Sequence, residues 1–189
     1  MYRTPGTDEV GNVRSRVPRQ QAPWPQAQAA RAAADDAGIG AELAAVVTGA
    51  RRRVVRDGDR QIDTAHLLHS LLESDAEVRA AFGEGPTLAR LLGYLVQRSI
   101  GYGLRWQGTV EGSGSLPAVD GATGFSPLAA VCVERARGRA ARRDGGPVRG
   151  TDLLAELVAD PQARAVEVLR RAGVDPRDLS GGLDAPSTR

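Results

Sequence analysis

IGAELAAVVTGARRRVVRDGDRQIDTAHLLHSLL (39–72) and FSPLAAVCVERARGRAARRDGGPVRGTDLLAELV (125–158) are two versions of one segment, 86 positions apart. Leu43, Val46, Val47, Ala50 and Val54 align without a gap on Ala129, Cys132, Val133, Ala136 and Ala140. Ile62 aligns on Val148, Leu67-Leu68 on Leu153-Leu154, and Leu71-Leu72 on Leu157-Val158. A repeat of this kind decides the architecture before any single element does.

Within each copy the apolar positions recur at i, i+3, i+4, i+7 and i+11, which is one face of an α-helix. The first copy predicts a helix over 41–57, closed by Asp57-Gly58-Asp59. A second follows over 64–73, capped by Asp63 or Thr64. Ser74 and Asp75 cap a short helix to about Phe82. Gly83-Glu84-Gly85-Pro86 breaks the chain before a helix to about Ser99. In the second copy Ser126 caps a helix to Arg143, with Pro127 at its favoured first position, and Asp144-Gly145-Gly146-Pro147 turns the chain. Helices are expected from Thr151 to Ala159, from Pro161 to Ala172 with Gly173 as the stop, and from Asp175-Pro176 onward. No segment carries a strong β pattern. The fold class is therefore all-α, a pseudo-twofold repeat of two four-helix units.

The rest of the chain frames this repeat. Residues 1–38 are rich in Pro, Gln, Ala and Arg; 1–25 read as disordered, and 26–36 could hold a weak helix. The double repeat spans 39–181, with repeat 1 at 39–100, a Gly-rich linker at 101–124 and repeat 2 at 125–181. Residues 182–189 read as a flexible tail, with fraying from 181. A linker this long inside a helical domain is unusual and points to a mobile or functional role.

Composition narrows the function classes. All 25 basic residues are Arg, against 23 acidic ones, for a net charge of +2. That balance is too small to argue for nucleic acid, and the Arg, Ala and Gly excess fits a high-GC coding bias. Scarce aromatics (4%) leave Ala, Leu and Val to build the core. The one cysteine, Cys132, lies on an apolar stripe and reads as a small core residue. No internal disulfide can form, which fits a reducing cytoplasm. No membrane-spanning run and no secretory signal are seen.

The duplicated element resembles the Clp N-terminal domain, the double repeat preceding the ATPase modules of ClpA- and ClpC-class unfoldases. Thr64-Ala65-His66-Leu67-Leu68 is similar to that family's "G-T-E-H-L-L". Ala165-Val166-Glu167-Val168-Leu169 with Ala172-Gly173-Val174-Asp175 is similar to its "A-A-R-V-L-x-x-L-G-V-D". Phe125-Ser126-Pro127 is similar to its "F/Y-T-P/E". The resemblance implies a docking module that binds adaptors and, in some ClpC-class members, phosphoarginine. The implied ligand positions are Gly40 and Ser126, where the family has Thr, and Ala65 and Thr151, where it has Glu. Both carboxylates are thus missing, which argues against phosphoarginine recognition of the usual kind. No G-x-x-x-x-G-K-[ST] occurs, and without Lys none can. The chain is expected to act as an N-domain-like protein without ATPase modules.

Other constellations are weaker. His66 and His69 share a helix face, with Asp63 and Glu73 near, but His66 matches the family's structural histidine and His69 reads as a surface residue. No metal, no cofactor and no catalytic residue is expected: there is no nucleophile elbow, and Cys132 has no matching His. The acidic residues read as solvated charge. Arg51, Arg52, Arg53, Arg135, Arg137, Arg139, Arg142 and Arg143 occupy equivalent helices and could contact phosphates, but lack interleaved aromatics. Trp24 and Trp106 are candidate interface anchors. The expected function is a non-enzymatic interaction module, an adaptor, decoy or regulator of Clp-dependent proteolysis. Its partners would be a Clp unfoldase, adaptors or substrates, with room for a small ligand or peptide between the repeats. The alternative is an Arg-rich nucleic-acid-binding or regulatory protein.

Overall fold

Thr64–Ser74 buries every residue from Thr64 to Leu72, and Gly150–Ala159 buries Gly150, Asp152, Leu153, Leu154, Leu157 and Val158. A helix apolar on so many sides belongs at the centre. The structure is a computed structural model that describes residues 40–83, 85–99, 110–112 and 124–184. Its helices are α1 (Gly40–Asp57), α2 (Thr64–Ser74), α3 (Ala76–Ala81), α4 (Pro86–Ser99), α5 (Pro127–Arg143), α6 (Gly150–Ala159), α7 (Arg164–Arg171) and α8 (Pro176–Asp184). The described residues are all-α, with no strand among them and no helix long and apolar enough to cross a membrane. The expected 1–25 disorder, the weak helix at 26–36, and both Trp24 and Trp106 lie outside the described residues.

α2 and α6 pack on each other. α1 covers α2, and α5 covers α6. α2 also meets α7, while α6 meets α3. α4 lies on α2 and α7; α8 lies on α6 and α3. One further link crosses the chain: Ile62 and Phe125 form a parallel bridge, in which Ile62 N donates to Gly124 O (2.7 Å) and Ser126 N to Ile62 O (2.8 Å). The core is overwhelmingly Leu, Val and Ala, with Ile62 and Phe125 at the bridge.

The helix starts follow from local chemistry. Asp63 caps α2 by accepting from His66 N (2.8 Å), and Asp63 N donates back to His66 Nδ1 (3.2 Å). This is a capping box with an imidazole in the usual Glu position. Asp75 caps α3, and Ser126 caps α5 ahead of Pro127. α6 begins at Gly150, beside the expected Thr151. Two expectations need correction. α7 begins at Arg164 rather than Pro161, because Asp160 accepts from Gln162 N (2.8 Å) and fixes a local turn first. α8 runs to Asp184, three residues into the expected flexible tail, whose residues 185–189 lie outside the described residues; Leu179 is buried and Leu183 packs on the core, which holds its last turn down.

Gly49 lets α1 approach α2 closely. A Cβ there would overlap Ser70 Oγ, which donates to Val46 O at 2.7 Å. Gly49→Ala is expected to lower stability by about 1–3 kcal/mol through overpacking, despite alanine's better helix propensity. In a Ser70→Ala background the same change is expected to be neutral or stabilising. Urea denaturation of the four chains checks this; an equal loss in both backgrounds contradicts the Ser70 contact as the cause.

Candidate functional site

The Glu111 carboxylate is 6% exposed and accepts four hydrogen bonds. Its Oε2 accepts from Thr64 N (2.9 Å) and Ser126 Oγ (2.9 Å). Its Oε1 accepts from Thr64 Oγ1 (2.5 Å) and Arg164 N (2.7 Å). The donors come from the first residue of α2, the cap of α5 and the first residue of α7. Thr64 N and Arg164 N are first-turn amides, which no preceding helical carbonyl can satisfy. Glu111 thus caps two helices at once, from the linker, and binds the hydroxyl that caps a third.

A second carboxylate stands behind it. Asp63, 1% exposed, accepts from Arg164 Nη1 at 2.8 Å. Arg164 therefore serves Glu111 with its backbone and Asp63 with its guanidinium. Thr64 Oγ1 also accepts from Ala165 N (3.0 Å), so one hydroxyl joins α2, α7 and the linker. Burial, then the charge of Asp63, pushes Glu111 above the usual carboxylate range, while the donors from Thr64 and Arg164 pull it back. The opposing effects are large. Charge-assisted hydrogen bonds contribute about 1.5–3 kcal/mol each, and desolvating a carboxylate costs several kcal/mol.

The corresponding place in the other half is filled differently. Gly150 stands 86 positions after Thr64, and Val78 stands 86 before Arg164. There Asp75 Oδ1 accepts from Glu77 N (2.8 Å) and Val78 N (3.0 Å). Its other oxygen lies where a Cβ on Gly150 would sit, so no larger residue fits at 150 without displacing Asp75. One site is filled by its own helix cap, the other by a residue 47 positions from Thr64 and 53 from Arg164.

The four family-derived ligand positions are scattered around this arrangement. Ser126 is buried and donates to Glu111. Ala65 is fully buried. Gly40 opens α1 at φ 75°, with Pro147 Cβ 3.1 Å from where its Cβ would be. Thr151 is half-buried in the first turn of α6. The acidic residues do not all read as solvated: Glu111, Asp63 and Asp152 are buried, each because a cap or an Arg needs it. Asp152 accepts from Arg149 N (2.9 Å) and pairs with Arg143.

His69 is also buried, 5% exposed, where a surface position was expected. Its Nε2 lies 3.4 Å from Glu73, which also pairs with the buried Arg53. Burial, then the Arg53 charge, lowers its pKa to about 4. His66 Nε2 faces Asp59 at 3.1 Å. Among the described residues no group of three His, Cys, Asp or Glu side chains is placed to hold a metal. Cys132 is buried, and burial, with the Glu111 and Glu156 charges, pushes its thiol up to about 12. A thiol at that value carries almost no thiolate near neutrality.

No protein-family model matches the chain, and no curated protein matches it either.

Two outcomes follow from the geometry. Thr64→Val removes a donor to Glu111 and orphans the buried Ala165 N–H, for an expected loss of about 2–4 kcal/mol in urea denaturation. Thr64→Ser keeps both bonds and is expected to lose under about 1 kcal/mol. A Thr64→Val loss no larger than that of Thr64→Ser contradicts the role of the hydroxyl. For His69, the folded pKa is depressed from 6.5 to about 4, so the unfolded chain binds more protons in that window. Stability is therefore expected to fall as pH drops from 6.5 towards about 4. Relative to His69→Gln, the added slope approaches ~1.4 kcal/mol per pH unit. Parallel curves for the two chains contradict the burial of a neutral imidazole.

Proposed function

We propose that the chain is a protein-docking module of the Clp N-terminal-domain type, a pseudo-twofold pairing of two four-helix units. It acts as an adaptor, decoy or regulator that presents this surface to a Clp unfoldase, its adaptors or its substrates. The observation that carries the reading is the pairing of contacts across the 86-residue repeat. Exchanging α1–α4 with α5–α8 turns α1·α2 into α5·α6, α2·α4 into α6·α8, α2·α7 into α3·α6, and α4·α7 into α3·α8, with α2·α6 in the middle. Every one of these pairs is in contact. The α2·α5 and α7·α8 packings lack an equally extensive counterpart, and they lie on the side where Glu111 joins Ser126 to Arg164.

A docking role without catalysis is consistent with the inert Cys132 thiol and with histidines engaged by a helix cap and by Glu73. The ligand positions support a specificity other than phosphoarginine. Ala65 offers no carboxylate, and the Ser126 hydroxyl is already engaged by Glu111. The nucleic-acid reading loses support from the pairing of Arg53, Arg137, Arg139 and Arg143 with carboxylates of the chain itself.

The test is affinity capture with the full chain against purified Clp unfoldase, adaptors and known unfoldase substrates. Saturable binding of at least one is expected, together with a change in the degradation rate of a Clp substrate. A phosphoarginine peptide is expected to bind at least ~30-fold more weakly than to a module carrying both Glu positions, since two charge-assisted bonds are missing. Failure to bind or modulate any Clp component would falsify the reading. Tight duplex DNA binding with a steep salt dependence would favour the alternative.

A further inference from the structure

His66 and His69 are the chain's two histidines, and both are buried on α2. No other side-chain type in the sequence ordinarily changes charge between pH 5 and 8. Carboxylates surround His66. Its Nε2 lies 3.1 Å from Asp59 Oδ2 and 3.9 Å from Asp57 Oδ2. Its Nδ1 lies 2.7 Å from Asp63 Oδ1 and 3.2 Å from Asp63 N, so one atom faces an acceptor and a donor at once. Without a proton Nδ1 accepts from Asp63 N, and its lone pair then stands against Oδ1. With a proton it donates to Oδ1, and the imidazolium bonds Asp63 from one end and Asp59 from the other. Burial of the ring, 1% exposed, opposes the charge, while charge-assisted bonds to carboxylates favour it. The carboxylate contact is the shorter one, which decides for the proton.

The other copy of the segment carries the same joint with its signs reversed. Asp57, Asp63 and His66 stand 86 positions before Arg143, Arg149 and Asp152. Asp152 pairs with Arg143 and accepts from Arg149 N (2.9 Å). There an acid ties together a helix end and a helix start that both carry Arg. In the first copy those two places are acidic, and the matching group at 66 is a cation. Arg143 keeps its charge through the neutral range, whereas His66 holds one only while protonated. Further charges reach the first joint through its acids. Arg56 of α1 bonds Asp57 (3.1 Å), Arg164 of α7 bonds Asp63 (2.8 Å), and Glu111 repels Asp63 from the connector. One turn along α2, His69 faces Glu73 and Arg53. The counterparts of His69 and Glu73 are Ala155 and Ala159.

We propose that His66 Nδ1 is a proton-binding site that fastens the Asp57-Gly58-Asp59 turn to α2, so that pH acts on the α1·α2 joint and leaves α5·α6 unchanged. The bound proton closes the joint. Its loss turns Nδ1 against Asp63 Oδ1 and removes the imidazolium charge that faces all three acids. The folded chain holds a proton that an unfolded chain releases near pH 6.5. His66 therefore stabilises fully below that pH and progressively less as pH rises. His69 sets the acid limit of the same joint, because a proton forced onto it stands beside Arg53. The Arg143–Asp152 joint has neither limit near neutrality.

The experiment reads the ring nitrogens of His66 by NMR in the full chain at pH 7.5, where a free imidazole is about nine-tenths neutral. Both nitrogens are expected to carry protons, and a neutral ring overturns the proposal. Urea denaturation of the wild type and His66→Gln from pH 6 to pH 9 reads the consequence. Glutamine keeps a side chain able to accept from Asp63 N, so a merely structural histidine gives a difference that is constant with pH. The wild-type advantage in folding constant is instead expected to shrink at least about fivefold over that range. A constant difference overturns the proposal. If His66→Gln does not fold, Asp59→Asn is expected to move the half-deprotonation of His66 down by about half a pH unit or more. An unmoved titration overturns the carboxylate contact as its cause. Amide exchange, corrected for the intrinsic effect of pH, is expected to show α1 and α2 loosening at least about threefold more than α5 and α6 between pH 7 and pH 9. Equal loosening of both pairs overturns the one-sided response.

Discussion

A carboxylate removed from water has to be given back its hydrogen bonds, and Glu111 obtains four, from α2, α7 and the cap of α5. That requirement ties three parts of the chain together at one point. Thr64 and Arg164 open helices whose first amides need acceptors, and Glu111 supplies both. Arg164 is thereby held where its guanidinium reaches Asp63, and Asp63 in turn caps α2 through His66 N. Remove the carboxylate and two buried amides, two hydroxyls and one ion pair lose their reference point together. Polar networks of this kind are high-stakes, since a half-satisfied one costs more than an apolar replacement.

Much of the scaffold was legible from residue pattern. The stripe Leu43, Val46, Val47, Ala50 and its counterpart Ala129, Cys132, Val133, Ala136 are buried as their periodicity requires. Ser126-Pro127 and Gly173 mark helix ends because their chemistry is local: a hydroxyl within reach of Ala129 N, and a glycine at φ 80°. Pro161 misled because Asp160 satisfied the nearby amides first, a competition invisible to a proline rule. Leu179 and Leu183 extend α8 beyond the point where fraying was expected, since apolar packing outweighs the poor propensity of Gly181 and Gly182.

The candidate site was far less legible, and the reason is physical. Periodicity reports which face of a helix is buried, and Glu111 is in no helix. Its partners lie 15, 47 and 53 positions away, so no local spacing could link them. The available hint was an acidic residue in a Gly-rich connector, which it shares with Asp120. His69 failed similarly: Arg53 is held against the protein by its pairing with the exposed Glu73, beside an imidazole that a helical wheel leaves outside. Gly150 is the instructive counterexample. In the repeat it replaces Thr64, and the reason is Asp75, whose carboxylate needs the space. At this position the two copies of the segment differ: Thr64 takes its acceptor from Glu111, and Gly150 leaves room for Asp75.

The most direct test of this account is native-state hydrogen exchange at Thr64 and Arg164. Both amides sit in a first helical turn with no helical acceptor, so their protection reports Glu111 alone. The account predicts that both are strongly protected, and that they open together with the same dependence on denaturant. Exchange of either amide at the rate of an unstructured peptide would contradict it.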